Sequence, residues 1–167
     1  MESLYEVMRP YVEPLQFVHS MNSPISILHD VEGQSVKDQN INFKPCGLWY
    51  SVGTSWLDWC EVENFGFGSH LYEVSMDRSG MLIIDTDEKF VAFNDEYKVG
   101  GKYCQVDWLR VSESYTGIEI SPYNWDRRSR WDSYWYYSWD VASGCIWDVS
   151  GVAIKEVFHF EGDRVEA

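Results

Sequence analysis

The sequence predicts an α+β fold in which small helices surround a mostly antiparallel sheet, in a single domain spanning residues 1–167. Three observations predict it. The chain is long enough for one sizeable core and too short for two. Short helical and strand patterns alternate irregularly along it. Its last third is aromatic and β-branched, broken by Ser-Gly and Asp-Val-Ser-Gly turns, which reads as further strands. No repeat, low-complexity segment or composition break marks a second unit.

Taken in order, LQFVHS (15–20) has the apolar character of a short strand. Ser23-Pro24 reads as an N-cap followed by proline at the first helical position, opening a short helix through Ile25, Ile27 and Leu28. Gly33 and the polar run after it end that helix. INFKPCGLWYSV (41–52) reads as one strand, with Pro45 marking an edge or entry point. Ser55 is a candidate cap for the helix SWLDWCEVENF, in which Trp56, Trp59, Cys60 and Glu63 recur at helical spacing. HLYEVSM and MLIID read as strands. After Asp85-Thr86, the spacing of Phe90, Phe93 and Tyr97 predicts a helix, and Asp87 and Glu88 in its first turn suit the helix dipole. VDWLRVSES reads as a short helix, and YTGIEISPY as a strand closed by Pro122.

The formal charge of -14, from 13 basic and 27 acidic residues, opposes general binding to DNA or anionic lipid. It suits a protein partner, a ligand held by a local basic patch, or a mimic of the charge of DNA. Cys46, Cys60, Cys104 and Cys145 lack zinc spacing and are expected to be free thiols. With no apolar core in the N-terminal segment and no run long enough to span a bilayer, a cytoplasmic protein without membrane contact is expected. The stretch KPCGLWYSVGTSWLDWC (44–60) concentrates indole rings on either side of a Gly-Thr-Ser turn. Such rings serve as core, as the floor under a flat ligand, or as both.

FVHSMNSPISILHDVEG resembles the opening of ADP-ribosyltransferases, in which a strand delivers a histidine and a short helix follows. CGLWYSVGTSWLDWC is similar to the second motif of the poly(ADP-ribose) polymerase and diphtheria-toxin branch, a Gly-aliphatic-aromatic-aromatic-small strand leading through a serine-bearing turn into a helix. YTGIEIS offers Glu119 for the strand glutamate of the third motif. The motifs occur in the family's order and cover about a third of the chain. Two departures stand out: Ser20 and Met21 follow the histidine where the family usually has Gly, or Thr two residues on, and the aromatic falls on Trp49 rather than Tyr, with Tyr50 on the opposite face of the strand. GLWYS, YTGIEISPY and WYYSWDVASGCIWD also resemble strings in uncharacterised bacterial and phage-type proteins.

The resemblance implies an ADP-ribosyltransferase-like split antiparallel sheet with small peripheral helices. It implies NAD as substrate, no metal, and transfer of ADP-ribose to an unknown macromolecular acceptor, protein or nucleic acid, or hydrolysis of NAD. A toxin or phage-host conflict factor with a cognate inhibitor protein fits such a reading. Cleaving the nicotinamide–ribose bond builds positive charge on the ribose, so Glu119 is the expected stabilising carboxylate. His19 would fix a ribose, Trp49 or Tyr50 would stack on nicotinamide, and Ser20, Ser51 and Ser55 would offer hydroxyls. Arg127 and Arg128, in NWDRRSRW, would meet the pyrophosphate.

Plainer readings stand beside these. His19 alone is an ordinary half-buried histidine, and one of Trp49 and Tyr50 belongs to the core. Glu119 between Ile118 and Ile120 is by default a solvent-facing strand residue. Trp56 and Trp59 suit helix-to-sheet packing, the arginines a solvated loop, and WYYSWDVASGCIW a β core. Walker, dinucleotide-fingerprint, zincin and nucleophile-elbow motifs are absent from the sequence. The alternative function is a non-catalytic acidic interaction protein, either a DNA mimic inhibiting a nucleic-acid enzyme or an aromatic-rich ligand-binding module.

Overall fold

The computed structural model describes residues 3–22 and 38–160, and the helix expected after Ser23 lies outside them. The architecture is α+β. A helix α1 (Leu4–Val12) precedes β1 (Phe17–Met21), and β2 (Ile41–Asn42) and β3 (Leu48–Val52) lead into α2 (Ser55–Glu63). Then follow β4 (His70–Met76), β5 (Leu82–Ile84), α3 (Asp87–Tyr97), β6 (Lys98–Val99), β7 (Gln105–Asp107) and α4 (Trp108–Ser112). After β8 (Gly117–Ile120) the chain winds through short 3-10 turns, including Trp131–Ser138, to β9 (Ser143–Ile146) and β10 (Val152–His159).

Seven strands form one sheet in the order β10-β4-β1-β3-β9-β8-β5, antiparallel throughout except for the parallel pair β8 and β5. A second sheet, β2-β7-β6, is small. Residues paired across neighbouring strands share a face. Tyr50, Gly144 and Glu119 therefore lie on one face of the main sheet, and Trp49, Cys145 and Ile118 on the other.

Three apolar clusters hold these layers. The largest packs Ile118 and Ile120 against Phe90 and Phe93 of α3, Trp108 of α4, and Trp135, Tyr136 and Trp139. Fully burying a large apolar side chain contributes about 1.5–3 kcal/mol each, so this cluster dominates the hydrophobic stabilisation. The buried indoles also need acceptors. Trp108 donates to the Asn42 carbonyl (3.1 Å), Trp135 to the Asn94 side chain (2.8 Å) and Trp147 to the Tyr115 carbonyl (2.6 Å). A second cluster seats α1 and α2 through Met8, Val12, Leu57 and Cys60, on Val18 and Leu71. Arg9 fastens the two helices together, bonding Asp58 at 2.8 Å and Glu61 at 2.6 Å. The third cluster, with Phe17, Leu48, Tyr50 and Ile146, lies on the reverse face.

Most expected elements are present, with four differences. The strand expected over 41–52 is two strands in different sheets, because Gly47 adopts φ 156°, where a Cβ would collide with the Ile146 carbonyl. Thr54, not Ser55, is the N-cap of α2. The segment from Trp131 to Ser138 is 3-10 rather than strand: its aromatic composition suits a half-buried strand, but Trp135, Tyr136 and Trp139 are buried while Trp131 and Tyr137 are exposed. The helix α1 was not anticipated, although Ser3 and Glu6 form a complete capping box at its start.

Gly144 is required by the ring of Tyr50, which lies across it; a Cβ there would overlap Tyr50 Cζ and Oη and sit 2.8 Å from the Ile118 carbonyl. Gly144→Ala is expected to destabilise the fold by about 2–3 kcal/mol through overpacking, measured by urea denaturation, whereas Gly53→Ala, which meets no neighbour, is expected to lose less.

Candidate functional site

The ladder between β1 and β3 holds for Phe17↔Val52 and Val18↔Ser51 and then stops. Beyond it β1 stays with β4 as far as Met21↔His70, while β3 stays with β9 as far as Leu48↔Ile146. The two strands part, and His19 closes the gap. Its Nδ1–H donates to the Trp49 carbonyl at 2.6 Å, filling the place of a missing ladder bond. Burial pushes the imidazole pKa below 6.5, partly opposed by the bond to Trp49. The ring is therefore neutral at physiological pH, and its Nε2 carries a free lone pair.

Around this parting lies a cavity of about 240 Å³, lined by His19, Ser20, Lys44, Trp49, Tyr50, Ser51, Trp56, Trp139, Asp140 and Ser143. Trp49 meets Trp139 edge-on at 4.9 Å, and Lys44 Nζ sits 5.2 Å from the Trp49 ring centroid. Burial lowers the Lys44 pKa, and Asp140 opposes that shift. The three hydroxyls are anchored by donating to backbone carbonyls: Ser20 to Phe67 (2.5 Å), Ser51 to Val18 (3.3 Å) and Ser143 to Val141 (2.9 Å). Each keeps its acceptor capacity. The indole N–H of Trp139 is buried with no hydrogen-bond partner among the described residues, unlike those of Trp108, Trp135 and Trp147. Such a group costs about 1–3 kcal/mol when left unpaired, and this one is closed off from solvent.

The expected site residues divide into two sets. His19, Ser20, Trp49 and Ser51 come together at the cavity. Trp49 rather than Tyr50 presents its ring on the face shared with Trp139, which decides the choice the sequence left open. Tyr50 reaches the lining, but its ring crosses Gly144 and its hydroxyl donates to Glu119 at 2.6 Å. Glu119 is neither solvent-facing nor in the cavity lining. It is buried on the reverse face, with its other oxygen paired to Arg78 at 2.5 Å. Burial and the neighbouring carboxylate together push the Tyr50 hydroxyl pKa far up. Ser55 donates to the Ala142 carbonyl at 2.9 Å, a bond that ties α2 to the approach of β9.

Arg127 lies outside the cavity and chelates Asp87 at 2.6–2.7 Å, holding that carboxyl far below its ordinary range. Arg128 stops at the rim, 3.5 Å from Asp140. Lys44, Trp56, Trp139, Asp140 and Ser143 are polar or aromatic lining residues that sequence reasoning does not find. The spacing of Trp56 suits helix packing, and Asp140 lies inside a segment with the composition of a β core. Only the pairing of β3 with β9 brings Asp140 near a histidine 121 positions earlier.

The site thus defines a class: an α+β protein with an aromatic cleft at a strand divergence, furnished with a neutral imidazole, one ammonium and one carboxylate. Comparison with family models, with curated proteins and with solved structures finds no match to this chain. Among the described residues no cluster of His, Cys, Asp and Glu is placed to hold a metal ion, and no helix is long and apolar enough to cross a membrane.

The depressed His19 pKa contributes stability that is full above pH 6.5 and declines as pH falls below that value. Urea denaturation between about pH 7.5 and pH 5 is expected to show this acid loss, and His19→Gln, which still donates to the Trp49 carbonyl, is expected to shrink it. On the reverse face, Arg78→Met leaves the Glu119 carboxylate buried without its cation. It is expected to cost about 3 kcal/mol in the same assay, and Arg78→Met with Glu119→Gln much less.

Proposed function

We propose that the cleft binds NAD and that the protein is an ADP-ribosyltransferase-like enzyme acting on a macromolecular acceptor. One observation carries the reading: the strand histidine and the GLWYS strand, recognised separately in sequence, are neighbouring strands that part to form one cavity, and a carboxylate stands in its lining. The helix after GLWYS supplies Trp56 to the same lining, in keeping with the resemblance. A cavity of this volume takes a flat ring and its sugar, with the rest of a dinucleotide along the open rim.

In this reading Trp49 stacks on the nicotinamide, and His19 Nε2 accepts a hydrogen bond from a ribose hydroxyl. Lys44 meets the pyrophosphate in place of Arg127 and Arg128. Asp140, not Glu119, is the carboxylate that stabilises the ribosyl cation as the C1′–N bond breaks. Nicotinamide leaves with the bonding electron pair, and the acceptor's nucleophile closes on C1′ and gives up its proton. Glu119 has no free oxygen to offer, since Tyr50 and Arg78 take both. The four cysteines are free thiols, which suits the cytoplasm.

Thermal denaturation with increasing NAD is expected to raise the melting temperature, because a ligand bound to the native state stabilises it by mass action. Nicotinamide release is expected to fall at least about 100-fold in Asp140→Asn, with the NAD-induced shift retained. Absence of both the shift and nicotinamide release in the unaltered protein would overturn the reading and favour the acidic interaction protein.

A further inference from the structure

The arginine-bearing segment that the cleft does not use carries an ordered row of rings, exposed at both ends and half-buried at Tyr134. Two short 3-10 turns between Trp131 and Ser138 meet at a kink at Ser133 (φ -139°, ψ 35°), and the rings at 131, 134 and 137 line up across it. Trp131 and Tyr134 stack at 5.7 Å and 18°, Tyr134 and Tyr137 at 6.0 Å and 3°. Trp131 is 75% exposed and Tyr137 51%. Trp125, 68% exposed, joins them through Arg128, whose guanidinium lies 5.8 Å from its ring and 5.0 Å from that of Tyr137. A run of bare rings is a solubility liability in a monomer and marks an interaction surface.

Charge identifies the occupant. Between 98 and 137 the chain has six basic and five acidic residues, one of which, Glu119, is buried against Arg78; the remainder has seven basic and 22 acidic. The row therefore sits in a stretch of near-balanced charge, where Asp87 and Asp140 from the remainder pair with Arg127 and Arg128, and acidic groups farther than about 10 Å away are screened by salt. Arg130 is exposed there, its Nε donating to the Asp126 carbonyl and its other guanidinium nitrogens in no ion pair shorter than 4 Å among the described residues. Aromatic faces in series beside guanidinium groups match unpaired nucleobases on a phosphate backbone.

We propose that the Trp131–Tyr134–Tyr137 row with Arg128 and Arg130 binds single-stranded nucleic acid. Duplex is excluded because its bases stack on each other and offer the rings no face. Arg128 also reaches Asp140 at the cleft rim, so a strand lying on the row passes the cleft mouth. That it is then the acceptor rests on the NAD reading; that it binds does not.

The test uses the full chain without NAD, with fluorescein-labelled oligo-dT, oligo-rU and a duplex of equal length, followed by anisotropy. Binding of a single strand in preference to duplex is expected, weakened about tenfold or more by Trp131→Ala and by Tyr137→Ala. Val62→Ser, at an 81% exposed position on α2, is expected to leave it unchanged. Arg130→Gln is expected to reduce the slope of log affinity against log salt by about 0.7. No binding of either single strand, duplex bound equally well, or affinity untouched by the two ring variants while circular dichroism shows them folded, would each overturn the proposal. Because NAD is absent, failure here leaves the cleft assignment standing, and failure of the NAD assays leaves this one standing.

Discussion

The hydrogen bond from His19 to the Trp49 carbonyl is the point on which the arrangement turns. Antiparallel neighbours normally keep pairing, since an unpaired buried carbonyl is costly. Here β1 and β3 keep only two pairs before each follows its other partner, and the imidazole supplies the donor that the ladder withdraws. The same arrangement leaves Nε2 unused, and burial keeps the ring neutral against the pull of that bond. One side chain therefore makes the parting of the strands stable and equips the resulting gap to accept a hydrogen bond.

The two faces of the sheet then carry different work. On the reverse face, Tyr50, Glu119 and Arg78 form a polar network across Gly144, with both carboxylate oxygens satisfied and the Arg78 Nε–H buried without a partner among the described residues. Networks of this kind rigidify the strands that carry them. At the cavity, Nε2 of His19 and the Lys44 ammonium are left without a hydrogen-bond or ion-pair partner among the described residues, and Asp140 has only the 3.5 Å pair with Arg128. The reverse face serves as scaffold and the cavity as site. The indoles are spread over core, cleft and surface: Trp108, Trp135, Trp139 and Trp147 are buried, Trp49 and Trp56 stand in the cavity lining, and Trp125 and Trp131 are exposed.

Much of this was legible from local pattern. The helix α3 is announced by Thr86, the acidic first turn and the buried Phe90 and Phe93, and His19, Trp49 and Ser51 were recognisable from their motifs. What failed was whatever depends on long-range pairing. Glu119 alternates with two isoleucines, which suggests a solvent-facing residue, yet both faces of β8 are buried, so alternation says nothing about exposure. Asp140 belongs to the site only because β9 pairs with β3. The rings from Trp131 onward have the composition of a strand but a three-residue burial period, and composition misled. The break at Gly47 needed the Ile146 carbonyl, 99 residues away, to explain it.

The chain contains nine tryptophans, whose indole N–H groups report on cleft, core and surface separately. Two-dimensional NMR of the nitrogen-15-labelled indoles during titration with NAD is the most direct examination of the cleft. The Trp49 and Trp56 resonances are expected to move furthest, since both residues line the cavity, while Trp108, Trp135 and Trp147 stay still. Unmoved signals from Trp49 and Trp56 at saturating NAD would contradict the account.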